Sequence, residues 1–223
     1  MKTIKIAIIG DFNYTYNTHH ATNIALDQVS ESCSKQINYY WIRLQEFEEK
    51  HKTFLSTYDA FLINPGPFKS EVWLKPIIEE LLLQEKPVLI TGDAFSVFME
   101  ILLRRYHPEM EQSRIISDNL LTGNHCDTVY LKIQNVKFQQ IYQGKSAEEL
   151  TTTRFSVYPE ALKDLKSSNL EIVAINQFGE AEIASIKDKS FFVACAFCPQ
   201  ISSTRNQPHP LLKEFISEAE KQI

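Results

Sequence analysis

The apolar run Leu89, Ile90, Thr91 passes through Gly92 and Asp93 straight into a helical pattern that starts at Ala94. A strand entering a helix through one strained residue is where many hydrolases and transferases mount a Ser or Cys nucleophile. Here the turning residue is Gly92, which takes that conformation without strain and has no side chain to attack with. Asp93 reads as an acid favoured in the first helical turn by the helix dipole, not as a replacement nucleophile.

Other stretches carry chemistry-bearing types. Cys195 and Cys198 are spaced like a redox or zinc pair, but they sit in or beside the strand-like run Phe191 to Phe197. Residues an odd number apart on a strand face opposite sides, and no second cysteine pair completes a tetrahedral set, so no metal is expected. His125 and Cys126 lie in a separate loop, and nothing in the sequence demands that they join Cys198 and His209. Gly144, Lys145 and Ser146 end like a phosphate loop, yet the motif needs a glycine five positions before Gly144 and the chain has Gln139 there. A turn with a solvated lysine is the expectation, and no nucleotide cofactor is expected. Asp11, His19 and His20 fall where the first strand meets the first helix. They form either a polar site or, more plainly, a backbone cap at Asp11 with His20 facing solvent.

These residues need elements to position them. Apolar runs at Ile4 to Ile9, Ile37 to Ile42, Ala60 to Asn64 and Pro87 to Thr91 alternate with helical patterns at Ala21 to Ser32, Leu44 to Phe54, Glu71 to Gln84 and Ala94 to Tyr106. That alternation predicts a parallel sheet with crossover helices. After Pro108 the pattern turns β-rich, with strands expected at Thr128 to Ile133, Phe138 to Tyr142, Glu171 to Asn176, Ala181 to Ile186 and Phe191 to Phe197. Phe178, Gly179 and Glu180 read as a hairpin turn, and Pro210 to Lys221 as a closing helix with Leu211, Leu212, Phe215 and Ile216 on one face. With no linker or repeat, residues 1–223 read as one α/β domain with a mostly parallel sheet and a β-rich C-terminal elaboration.

The 223 residues are 43% hydrophobic and carry a formal charge of -5, with the basic residues scattered. Nucleic acid is therefore not an expected partner. No apolar run approaches the ~20 residues of a membrane span, and four cysteines without framework spacing suit a reducing compartment, so the expectation is a cytoplasmic protein with free thiols.

The chain resembles the class I glutamine amidotransferases, and among them the glutaminase domain of CTP synthase and its stand-alone relatives. The family's strand and Gly-x-Cys-x-Gly elbow match Pro87 to Phe95 with Gly92 at the cysteine. Its Gln-Phe-His-Pro-Glu segment matches Ala196, Phe197, Cys198, Pro199 and Gln200, followed by Ser202, Ser203, Thr204 and His209, Pro210, Leu211. The resemblance implies a flavodoxin-like three-layer sandwich. It also implies a thiolate attacking glutamine's side-chain amide, with a histidine moving protons and a glutamate orienting it. Gly92, Cys198 and Gln200 stand at those three positions, so glutaminase activity is expected to be absent. The family's oxyanion loop reads Pro65, Gly66, Pro67 here, and proline has no N–H to donate. Gly66, Phe68 and Arg154 match ligand-contacting positions, which leaves two readings: a pocket for an amino-acid-like ligand, with room left by the missing side chain at Gly92, or, more plainly, Phe68 as core and Arg154 as a surface charge. Three readings follow: a non-hydrolytic binding or regulatory module, an enzyme repurposing Cys198, His19, His20 or Asp93 on another small substrate, or a structural subunit of a protein partner.

Overall fold

Alternating side chains along β1 (Thr3–Ile9) set the layering: Ile4, Ile6 and Ile8 point into one apolar cluster, Ala7 and Ile9 into the other. Both faces of a parallel strand are buried when crossover helices cover both sides, which is why this run is almost continuously apolar. The computed structural model describes residues 3–68, 71–111, 115–118, 126–144, 147–153, 155–163 and 168–223.

The chain continues through α1 (Asn17–Cys33), β2 (Gln36–Ile42), α2 (Leu44–Ser56), β3 (Ala60–Ile63), α3 (Leu74–Leu82), β4 (Val88–Thr91) and α4 (Ala94–Tyr106). A single 3₁₀ turn at Glu71–Trp73 leads into α3, whose Leu74, Ile77, Ile78 and Leu81 are buried at helical spacing. The second half supplies β5 (Ile116–Asp118), β6 (Asp127–Ile133), α5 (Val136–Ile141), β7 (Ala147–Thr151), β8 (Phe155–Val157), β9 (Leu170–Ile175), β10 (Ala181–Ile186) and β11 (Phe192–Cys195). Two helices, α6 (Pro199–Ser202) and α7 (Pro210–Glu220), close the chain.

One nine-stranded sheet runs β2-β1-β3-β4-β11-β10-β9-β6-β7. The strands from β2 to β11 are mutually parallel, and β10, β9, β6 and β7 extend the same sheet by antiparallel pairing. Helices α2, α3 and α4 cover one face, and α1, α5 and α7 the other, which makes three layers. A separate two-stranded sheet pairs β5 with β8. Among the described residues no helix is long and apolar enough to cross a membrane.

The hairpin at Gly179 is as expected: Gly179 has φ +83°, and Asn176 N–H donates to the Glu180 carbonyl across the turn between β9 and β10. The segment Phe138 to Tyr142 is not a strand. It lies in and just after α5, because the Asn135 side chain accepts the Phe138 N–H and caps the helix start, and Phe138 and Tyr142 then fall one turn apart on its buried side. The short strands β5, β7 and β8 had no sequence signal of their own. Glu149 on β7 is a buried charge where an apolar strand residue was the norm.

That charge is held tightly. Glu149 Oε1 accepts from the Tyr142 hydroxyl at 3.1 Å and lies 2.8 Å from His209 Nε2. His209 Nδ1 accepts the Leu211 N–H, so the ring hydrogen sits on Nε2 and is donated to Glu149. Ser202 reaches the other carboxylate oxygen at 3.5 Å. Burial, and next the Glu149 charge, push the Tyr142 phenol well up, so it stays a donor. The cluster joins β7, α6 and the start of α7. Glu182 on β10 is another buried carboxylate; burial raises it to about 7 against the partial relief given by Asn176.

Two outcomes follow. His209→Ala strips a buried carboxylate of its nearest donor and is expected to cost ~3 kcal/mol, read by urea unfolding. For Glu182 the folded state holds its proton more tightly than the unfolded chain, so stability falls as pH rises from the ordinary carboxylate range through about 7. Glu182→Gln should flatten that slope, raising the melting temperature more at pH 8 than at pH 5.

Candidate functional site

At the end of β4, Gly92 has φ +62° and passes the chain into α4. Its N–H donates to the carbonyls of Cys195 (3.0 Å) and Phe197 (3.2 Å), and the Asp93 N–H donates to the Pro65 carbonyl (3.0 Å). A Cβ on Gly92 would lie 2.4 Å from Pro65 O and 2.7 Å from Pro65 Cβ, inside any real carbon contact. The room expected at Gly92 does not exist, because the loop after β3 has closed onto the elbow backbone.

The residues beside it are equally enclosed. Gln200 is buried and its Nε2 donates to Thr91 Oγ1 at 3.0 Å, while the Thr91 hydroxyl donates to the Ile63 carbonyl. Cys198 is fully buried with Sγ 3.4 Å from Thr152 Oγ1, and burial, only partly offset by that hydrogen bond, raises its thiol to about 12. It is a neutral thiol at physiological pH. Cys195 is buried too, and its sulfur lies 3.5 Å from the Ile90 and Phe197 carbonyls rather than beside the Thr152 hydroxyl that Cys198 meets. Among the described residues no group of three or more His, Cys, Asp or Glu could hold a metal. Cys126 is exposed, and His125, Lys145 and Ser146 lie outside the described residues.

Gly66 and Phe68 are brought together, but away from open space at the elbow. Gly66 has φ +83°, and a Cβ there would meet Asp93 Oδ2 at 3.0 Å and Phe68 Cε2 at 3.2 Å. Asp93 thus covers Gly66. Phe68 packs partly on the α2–α4 side of the core and turns its exposed part to a cavity of about 230 Å³ with Asp11, Phe12, Asn13, Tyr14, Tyr16 and Pro67. Arg154 lies outside the described residues.

That cavity sits where strand order reverses. From β1 the chain goes to β2 on one side, then crosses to β3 on the other, and the crevice outside the carboxyl ends of β1 and β3 is the usual ligand position in open α/β sheets. His19 organises the crevice from beneath. Its Nδ1 accepts the Asn13 N–H at 3.0 Å, so Nε2 carries the hydrogen and donates to the Gly66 carbonyl at 3.2 Å. Asn64 Nδ2 is placed 2.9 Å from the same Nε2, with Oδ1 unpartnered. Two donors cannot pair, so turning the amide over, with Oδ1 facing the ring, satisfies this contact. Burial lowers the His19 pKa despite the Gly66 carbonyl, in keeping with a neutral ring. His19 is therefore a fixed strut between the β1 and β3 loops. His20 is exposed, 3.0 Å from the Tyr14 carbonyl, and Asp11 caps no backbone amide among the described residues.

On the other side of the Asp11–Phe12 segment a second cavity, about 870 Å³, is lined by Trp41, Arg43, Leu44, Glu46 and Trp73 together with Asp11, Phe12 and Tyr14. Sequence reading missed Trp41, Arg43 and Trp73. The available signal was position: Trp41 and Arg43 bracket the end of a strand, where α/β sheets place ligand contacts.

Adding a side chain at the elbow should be costly. Gly92→Ala is expected to destabilise by at least ~2 kcal/mol, since a left-handed non-glycine residue and a carbonyl clash combine, with the melting temperature as the measurement.

No protein-family model matches the chain. Among curated proteins, CTP synthase of Helicobacter pylori strain HPAG1 is 21% identical over 251 aligned positions, covering 97% of this chain and 45% of that enzyme. The chain spans less than half the length of the curated relatives it matches. The glutaminase domain of Trypanosoma brucei CTP synthase, solved with acivicin bound, superposes with a TM-score of 0.82 at 17% identity, over 98% of this chain and 94% of that one. A glutamine amidotransferase from Thermotoga maritima superposes at 0.60 with 9% identity, over 98% of this chain and 97% of that one. The chain thus has the class I glutamine amidotransferase fold, in the form of the CTP synthase glutaminase domain, and resembles CTP synthase in sequence over nearly its whole length.

Proposed function

We propose that this chain is a CTP synthase-related, glutamine amidotransferase-like protein that does not hydrolyse glutamine and acts as a small-molecule-binding or regulatory module. The observation that carries the reading is the closed elbow: the place for a Cβ at Gly92 is taken by Pro65 O at 2.4 Å. In the amidotransferases that position bears the thiolate, and the positions here held by Cys198 and Gln200 bear its histidine and glutamate. Glycine cannot attack. A buried thiol raised to about 12 cannot replace an imidazole base, and Gln200 has no charge with which to stabilise one. The same burial counts against a repurposed thiolate at Cys198, because the thiolate is the reactive form.

Binding without hydrolysis is supported by what remains open. The cavities lie around Asp11, Phe12 and Tyr14, the smaller at the ends of β1 and β3 and the larger at the ends of β1 and β2, away from the elbow at β4. The His19 strut fixes both loops that border the smaller of them. A cleft with set walls binds without first ordering itself.

Incubation of the purified protein with L-glutamine should release no ammonia above a protein-free blank. An electrophilic glutamine analogue should leave its intact mass unchanged. Ammonia release well above blank that disappears in Cys198→Ala would overturn the reading.

A further inference from the structure

The 870 Å³ cavity holds two charged groups of opposite sign that are not used by the fold. The Asp11 carboxylate and the Arg43 guanidinium both line it, and neither side chain has a hydrogen bond or ion pair with the other or with any other described residue. The same cavity has an aromatic lining of Phe12, Tyr14, Trp41 and Trp73. Tyr14 is 82% exposed and Trp73 37%, so large rings face water at the cavity.

The wall is rigid where it matters. Trp41 Nε1–H donates to Asn23 Oδ1 at 2.8 Å, its ring meets Phe12 edge-on at 4.9 Å between centroids, and it lies against the His19 ring at 5.1 Å. His19 is itself locked to Asn13 and Gly66. A fixed aromatic wall thus lines the same cavity as the Asp11 carboxylate and the Arg43 guanidinium.

We propose that this cavity binds a free α-amino acid with an aromatic or bulky apolar side chain. The α-ammonium meets Asp11, the α-carboxylate takes the two-pronged donor face of Arg43, and the side chain covers the Phe12–Trp41 surface. A zwitterion of this kind satisfies both charges while adding no net charge. A nucleotide fits worse, since its phosphates would bring further negative charge to a cavity that already holds Asp11 and Glu46. The site is distinct from the elbow at Gly92. The inference rests on the reading of this cleft as the binding site, but its test is a binding measurement, which glutaminase activity or its absence does not affect.

Isothermal titration of the full chain with L-phenylalanine and L-tryptophan is expected to give saturable one-site binding. N-acetyl-L-phenylalanine, which lacks the ammonium, and L-phenylalaninamide, which lacks the carboxylate, should each bind at least about tenfold more weakly. Asp11→Asn and Arg43→Gln should each weaken L-phenylalanine by a similar factor while leaving the ligand-free melting temperature unchanged, which separates loss of a contact from loss of fold. L-Glutamine should bind more weakly than L-phenylalanine. The proposal is overturned by absence of saturable binding for both aromatic amino acids at millimolar concentration, by equal binding in the two variants, or by tighter binding of AMP or L-glutamine.

Discussion

The main chain at Gly92 and Asp93 ties three strand ends together. Gly92 N–H reaches the carbonyls of Cys195 and Phe197 beyond β11, and Asp93 N–H reaches Pro65 beyond β3. Gly92, Pro65, Cys195 and Phe197 are buried, and a buried amide left unpaired is expensive, so the loops are drawn in until the backbone of Pro65 rests on the elbow. Only a residue without a Cβ permits that approach at φ +62°. Glycine at this position lets the neighbouring loop fill the place that a side chain would take.

With the place for a side chain at Gly92 taken, cavities open farther along the sheet, at the ends of β1, β2 and β3. There the polar chemistry is split between struts and free groups. His19 is buried, neutral and spent on holding loops, while Asp11 and Arg43 are unspent. The aromatic residues of the β1–α1 loop pack on one another and on Trp41. That packing gives an exposed loop a fixed shape, and a fixed shape is the requirement for selective binding.

The far half of the sheet is stabilised differently. Its antiparallel strands carry buried carboxylates, and Glu149 is tolerable only because a tyrosine, a histidine and a serine surround it. The motif Ser202, Ser203, Thr204 and His209, Pro210 therefore serves the closing of α6 and α7 onto β7, with Ser203 also donating to Gln28 on α1. The part of the chain that most resembles an amidotransferase C-terminus is thus held by its own polar network.

The layered fold was legible in the order of residues because period-two apolar runs and period-3.6 helical faces are local properties. β1 to β4 with their helices, and β10 with its hairpin at Gly179, fall where the pattern puts them. Composition misread Phe138 to Tyr142, since a short apolar run does not distinguish strand from helix and the deciding group was the cap at Asn135. The absence of Cys, His and Glu at positions 92, 198 and 200 is likewise pure sequence. What the sequence did not contain was the distance from Pro65 to Gly92, the neutral state of His19, or the meeting of Asp11, Trp41, Arg43 and Trp73 around one cavity. Residues far apart in the chain meet there only because β1, β2 and β3 are aligned by sheet pairing, and which of their polar groups are consumed or left over depends on that three-dimensional register.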